Sequence, residues 1–95
     1  MSDYFVYLLT CADGTYYCGI TTDVERRIEQ HNSGKGAKYI IKKRRPAKLA
    51  AKKGPFEKGD ALREEARIKK LPRKHKLAAF IFSDLWESRD KIGGA

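Results

Sequence analysis

Two runs of aliphatic and aromatic residues open the chain, Tyr4–Thr10 (Tyr-Phe-Val-Tyr-Leu-Leu-Thr) and residues 15–20, with Ala12-Asp13-Gly14 as a strong turn signal between them. Residue types that suit a pleated surface, broken by so short a reversal, predict a β-hairpin. The rest of the chain reads as its cover. Thr22 and Glu25 have the spacing of a capping box, and Val24 and Ile28 lie four apart, which predicts a helix over residues 23–32 ended by Ser33-Gly34-Lys35-Gly36. Pro46 breaks any helix in the stretch that follows, and Lys48-Leu49-Ala50-Ala51 is a candidate short third strand before Gly54-Pro55. Asp60 can cap a second helix over residues 61–71, and Pro72 can open a third that runs to about Phe82. The expectation is an α/β (α+β) fold in the order β-β-α-β-α-α, a small three-stranded antiparallel sheet flanked by helices.

Ninety-five residues have room for one small core, so residues 1–95 are expected to form a single domain, with a core over 4–82 and a C-terminal tail over 83–95 that carries no motif. With 41% apolar and 35% charged residues the composition is that of a globular chain, not a disordered one. No apolar run reaches the roughly 18–20 residues of a membrane span, and Met1-Ser2-Asp3-Tyr4 lacks the regions of a secretory signal. Cys11 and Cys18 have no second pair, so neither a disulfide framework nor a four-ligand zinc site is available. A reducing cytoplasm fits best.

The formal charge of +9 is concentrated. Lys35, Lys38, Lys42, Lys43, Arg44, Arg45, Lys48, Lys52 and Lys53 lie in one stretch without an acid, and outside it cations and acids balance at 12 each. Such a block attracts polyanions and releases counterions from a phosphate backbone, the footprint of a nucleic-acid binder. A merely solvated basic face, or a surface for anionic lipid, would share the composition. No amphipathic helix or lipidation signal supports the lipid alternative.

Three helical positions combine polarity with an apolar setting. In the second predicted helix Ala61, Leu62, Ala66, Ile68 and Leu71 define a stripe with Glu65 near its middle and Glu64 at its edge. A carboxylate there must meet a metal, a donor or a cation such as Arg27 or a lysine, because an unpaired buried charge costs several kcal/mol. In the first helix Arg27 and His31 stand four apart beside the Val24 and Ile28 stripe, which makes Arg27 the inward arginine and Arg26 the outward one. His31, in the last turn, suits a hydrogen-bonded helix end and a partial positive charge against the helix dipole. Strand alternation puts Tyr17 and Gly19 on one face and Tyr16, Cys18 and Ile20 on the other, with Tyr7 on the neighbouring strand. Two phenols around a glycine leave an opening for a third group, although ordinary sheet packing also uses tyrosine.

Val6-Tyr7, then Tyr17-Cys18-Gly19, then residues 19–27 (Gly-Ile-Thr-Thr-Asp-Val-Glu-Arg-Arg) with His31-Asn32, and finally residues 61–71, resemble the GIY-YIG nuclease domain, in particular its small stand-alone bacterial branch. The resemblance spans roughly residues 4–80. It implies a divalent-metal-dependent endonuclease acting on nucleic acid, DNA before RNA, with Tyr7 and Tyr17 as the active-site tyrosines. It also implies Arg27 near the scissile phosphate, His31 in an auxiliary position and a glutamate on the metal. The match to Ile68-Lys69 and the stripe both select Glu65. Mg²⁺ suits a single-carboxylate site, and oxygen-only ligation also admits Mn²⁺. Tyr7 is the expected general base and Tyr17 the orienting group, although the two roles could be exchanged. Lys35, Lys38, Lys42, Lys43, Arg44 and Arg45 are the expected nucleic-acid contacts, with Arg73, Lys74 and Lys76 as a second patch, and recognition should be of backbone and shape.

The pattern departs from the family in three places. Phe5 stands where the first motif has glycine, Cys18 fills the middle of the second, and Asn32 is the chain's one asparagine, so the asparagine that many members carry near the end of the domain is absent. Two other readings use the same charge, a catalytically idle nucleic-acid-binding module and an RNA-binding or ribosome-associated basic protein.

Overall fold

The computed structural model describes residues 3–81; the predicted tail over 83–95, like Phe82, lies outside the described residues. Its elements are β1 (Tyr4–Thr10), β2 (Tyr16–Thr21), α1 (Val24–Asn32), a single 3₁₀ turn (Lys42–Arg44), β3 (Lys48–Phe56), α2 (Lys58–Lys69) and α3 (Arg73–Ile81). The expected β-β-α-β-α-α order is therefore present, and the three strands form one antiparallel sheet in the order β2-β1-β3. The central strand is the apolar one: Val6, Leu8 and Leu9 are fully buried and Tyr7 nearly so.

Alternation along β1 divides the interior in two. Val6 and Leu8 pack with Cys18, Ala61, Ile68 and Phe80 under α2 and α3. Tyr7 and Leu9 pack on the opposite face with Cys11, Val24, Ile40 and Ala47, under α1 and the loop that follows it. The sheet is thus covered on both sides, by a helix pair on one and by a helix and an ordered basic loop on the other.

Three element boundaries differ from the sequence expectation for a local reason, and so does the buried face of one helix. Asp23 caps α1 in place of Thr22: its Oδ1 accepts the Arg26 N–H at 3.1 Å, while Thr21 Oγ1 receives the Asp23 N–H at 3.1 Å. β3 does not stop at Ala51 but continues through Gly54-Pro55 to Phe56. A proline is tolerated there because β3 is an edge strand and the register slips between its pairings with Tyr4 and Val6, so no neighbour needs the missing N–H. α2 starts at Lys58 directly after β3, with Glu57 as a cap that makes no side-chain bond, and Asp60 lies inside the first turn paired with Arg63. Leu62 and Ala66 are exposed, so the buried face of α2 rests on Ala61 and Ile68.

The loop after α1 is tied down at both ends. Gly34, at φ 86°, takes the left-handed conformation that ends the helix and lets Lys35 N–H reach Gln30 O at 2.9 Å. At the far end Asn32 grips the backbone of Ala47 twice, Nδ2 donating to its carbonyl at 3.0 Å and Oδ1 accepting its N–H at 2.7 Å. Asn32→Ala leaves the buried Ala47 amide without a partner, and the expected loss is about 1–3 kcal/mol. Thermal unfolding checks this, with a fall in Tm of roughly 4–8 °C for each kcal/mol lost.

Candidate active site

The site is built on the Tyr7 face of the sheet. Tyr7 lies opposite Gly19 in the β1–β2 register, and a Cβ added at Gly19 would stand 2.6 Å from Tyr7 Oη and 2.8 Å from its Cζ. The ring therefore lies across the neighbouring strand through space that only glycine leaves. Gly19→Ala should displace the phenol, lowering both stability and any reaction that uses Tyr7, and the shift is readable in the Tyr7 ring signals by NMR. An unchanged ring environment in that variant would show that the space is not required.

α1 brings two of the expected residues to this phenol. Val24 and Ile28 seat the helix on the sheet, which turns Arg27 inward, leaves Arg26 exposed and buries His31 completely. His31 Nε2 and Tyr7 Oη are 2.9 Å apart, and His31 Nδ1 accepts the Ala37 N–H at 3.1 Å. The Tyr17 ring meets the His31 ring edge-on at 5.2 Å and lies 6.3 Å from that of Tyr7. Arg27 Nη1 donates to Gln30 Oε1 at 2.9 Å, and Arg27 also lines a groove of about 360 Å³ with Tyr4, Ile20, Thr21, Arg26 and Gln30 among others, a groove that Tyr7, Tyr17 and His31 do not line. Tyr7, Tyr17, Arg27 and His31, predicted as one site, stand together.

Their ionisation follows from burial. The Tyr7 phenol is pushed up to about 12, by burial first and the neighbouring Tyr17 second, with Arg27 pulling it back. Burial also raises Tyr17, against the charges of Lys69 and Arg27. His31 is lowered to about 4, by burial and then by Arg27, so it is neutral at neutral pH and the expected positive charge at the helix end is not there.

Glu65 reaches the site differently from the other four. It comes from α2, on the opposite layer, where its carboxylate pairs with Lys69 at 3.2 Å and its charge acts on Cys18 and Tyr17. Tyr17, on edge strand β2, is thus the residue that feels both layers: Arg27 on one side, Glu65 and Lys69 on the other. Glu65 does not pair with Arg27 as one reading of the sequence allowed. Glu64 is the structural carboxylate, held by two of the Arg67 nitrogens, Nε at 2.9 Å and Nη2 at 2.6 Å, and by Lys53. Among the described residues no three His, Cys, Asp or Glu side chains converge as a metal cage. A single half-buried carboxylate fits Mg²⁺, which keeps most of its waters, and fits Mn²⁺ by the same oxygen donor.

The cations of the basic stretch are not all equally free. Lys35, Lys38, Lys42, Lys43, Lys48 and Lys52 are exposed, whereas Arg44 is partly buried and already paired. Its Nε pairs with Asp13 at 3.0 Å, its Nη1 donates to Tyr39 O at 3.1 Å, and its guanidinium covers the Tyr39 ring at 4.1 Å. Arg45 is half-buried, with its Nε enclosed, and Lys53 belongs to Glu64. The second patch shrinks too: Arg73 donates to Gly14 O and covers Tyr16, while Lys76 caps α2 by donating to the carbonyls of Ile68 and Lys69. Sequence reasoning missed Tyr39, which stacks on Tyr17 with centroids 5.7 Å apart and planes 26° apart. An aromatic inside a basic block was the available signal.

The family model of the GIY-YIG catalytic domain matches residues 3–78. Among curated proteins the chain is similar to the UPF0213 protein YsiG of Lactococcus lactis, 53% identical over 86 residues, 90% of this chain and 81% of that protein. It is also similar to the UPF0213 protein VNG_2274C of Halobacterium salinarum, 49% identical over 75 residues, 79% of this chain and 96% of the other. Among solved structures it resembles the solution NMR structure of the E. faecalis protein EF2693, with a TM-score of 0.60 and 39% identity over 90% of this chain and 93% of that one.

Proposed function

The chain belongs to the GIY-YIG catalytic domain family, and from that premise we propose that it is a divalent-metal-dependent endonuclease hydrolysing phosphodiester bonds of DNA with little sequence preference. What carries this reading is the convergence of Tyr7, Tyr17, Arg27 and His31 beside an exposed lysine-rich loop. Such a reaction has to neutralise charge that builds on the non-bridging and leaving oxygens. Arg27 presents a planar, permanently charged fork beside Tyr7 and holds the phosphate by paired hydrogen bonds. Tyr7 takes the proton of the attacking water, and Tyr17 orients that water or the phosphate. Glu65 holds Mg²⁺ or Mn²⁺, whose contribution when bound is Lewis-acid stabilisation of the phosphate and the leaving 3′ oxygen.

The exposed lysines Lys35, Lys38, Lys42 and Lys43, with Lys48 and Lys52, supply affinity for the phosphate backbone, and Arg44 acts by holding the loop. If about five phosphates are neutralised, the logarithm of duplex affinity falls against the logarithm of salt with a slope of about −4 to −5, and replacing Lys42 and Lys43 flattens it by about 2. A salt-insensitive binding constant would overturn this part. Among the described residues no helix is long and apolar enough to cross a membrane. The deciding assay is metal-dependent cleavage of matched single-stranded, duplex and branched DNA, with RNA alongside. Binding without cleavage of any of them moves the chain to the idle binding module.

A further inference from the structure

The imidazole of His31 is fully buried and both of its nitrogens are occupied. A backbone N–H can only donate, so the contact from Ala37 makes Nδ1 an acceptor carrying a lone pair and no proton. A neutral imidazole has one N–H, which places it on Nε2, 2.9 Å from Tyr7 Oη. The ring has little freedom to reverse this arrangement, because Gly36 lies against it: a Cβ there would stand 2.2 Å from Nδ1 and 2.7 Å from the His31 Cα. Ala37 packs into the Tyr7 core cluster, the Ile40 N–H closes the turn on Ala37 O at 3.0 Å, and Tyr39 stacks on Tyr17.

From this geometry we infer that His31 is a standing hydrogen-bond donor to Tyr7 and not the acceptor of its proton, and that Gly36 and Ala37, in the basic loop, are the positioning residues that hold it so. The catalytic consequence deepens the nuclease reading and rests on it. A donor aimed at the phenolic oxygen favours phenolate over phenol, and it keeps its own proton throughout. The Tyr7 proton is lost to solvent. In the chemical step a water O–H bond breaks, its proton goes to Tyr7 Oη, the water oxygen bonds to phosphorus, and the bond from phosphorus to the 3′ oxygen breaks, that oxygen taking a proton from solvent. Exposed Lys35 and Lys38 flank Gly36 and Ala37, so the stretch that meets phosphate is also the stretch that sets the imidazole proton.

The test is the long-range proton–nitrogen NMR spectrum of the full-length protein, with the exposed His75 assigned through His75→Gln. The expected pattern for His31 is an unprotonated Nδ1 and a protonated Nε2; the reverse pattern overturns the inference, and no substitution at the site itself is needed to read it. Gly36→Ala should scramble the ring pattern and slow single-turnover cleavage roughly 100-fold while binding persists. A Gly36→Ala protein with native ring signals and a native rate overturns the positioning role. His31→Gln, which can donate but cannot take up the proton, should recover at least about tenfold of the rate lost in His31→Leu, and equal loss in the two overturns the donor role. A wild type with the expected ring pattern that cuts nothing refutes the nuclease reading and leaves the tautomer standing.

Discussion

Glu65→Gln abolishes cleavage, with a loss of about 100- to 1,000-fold or more in rate, and leaves folding and nucleic-acid binding in place; Glu64→Gln lowers stability and leaves cleavage by the folded protein intact. The two carboxylates are adjacent and equally shielded, with side chains 18% and 17% exposed, so burial does not separate them. Their partners do. Glu64 is held by the paired donors of Arg67 and by Lys53, and its loss leaves those cations facing each other in a half-buried space, a cost of about 1–3 kcal/mol. Among the described residues Glu65 is paired with one exposed lysine, Lys69, which a stronger cation can replace, and its field falls on Tyr17. The hydrogen bonds from Arg67, followed by Lys53, hold the Glu64 carboxyl down to about 2 against an ordinary value of 4.5. A depressed carboxyl stabilises the fold fully above the unfolded value and loses that contribution as pH falls from about 4.5 toward 2, so acid unfolding of Glu64→Gln should be shallower across that window. If Glu64→Gln is the variant that folds and fails to cut, the metal belongs to Glu64 instead.

Tyr7→Phe lowers cleavage by about 10²- to 10⁴-fold, whereas Tyr17→Phe, which removes an orienting group, has the smaller effect. With the phenol raised to about 12, phenolate is a small fraction at neutral pH and grows about tenfold per pH unit. The wild-type rate should therefore climb with pH through the alkaline range, and Tyr7→Phe should flatten the climb. Single-turnover rates across that range are the measurement. Full activity in Tyr7→Phe removes it as the base, and a flat profile in Tyr17→Phe transfers the role there.

The parts of the fold set by nearest neighbours were legible in the sequence. Alternation placed Tyr17 and Gly19 together, and helical spacing turned Arg27 inward and Arg26 outward. The stripe on α2 was misread: Leu62 and Ala66 face solvent, and Glu64 and Glu65 are equally shielded, so it does not choose between them. What could not be read was the fate of the cations. Nothing local tells Arg44 from Lys43, because its partners Asp13 and Tyr39 arrive by folding, and the same holds for Lys53 with Glu64 and Arg73 with Gly14. Counting charge along the chain therefore overstated the free basic surface. Asn32 was noted only as the wrong asparagine for the family pattern, and its two bonds to Ala47 depend on a contact fifteen residues away. Gly36 was read as a helix stop, and its space beside His31 became visible only once the loop was in place.

Tyr7 lies on the central strand, where Val6, Leu8 and Leu9 have no exposure, while the Ala37 amide that completes the site lies in a loop fastened by a few hydrogen bonds. Amide exchange should divide the pair: the β1 amides open only with the whole molecule, and those of the loop open in smaller excursions of lower free energy. Each excursion would dismantle the proton arrangement around Tyr7 while the fold persists. A chain so built passes through folded states in which His31 Nδ1 has lost its donor, and a polyanion held across the loop lysines would make those states rarer.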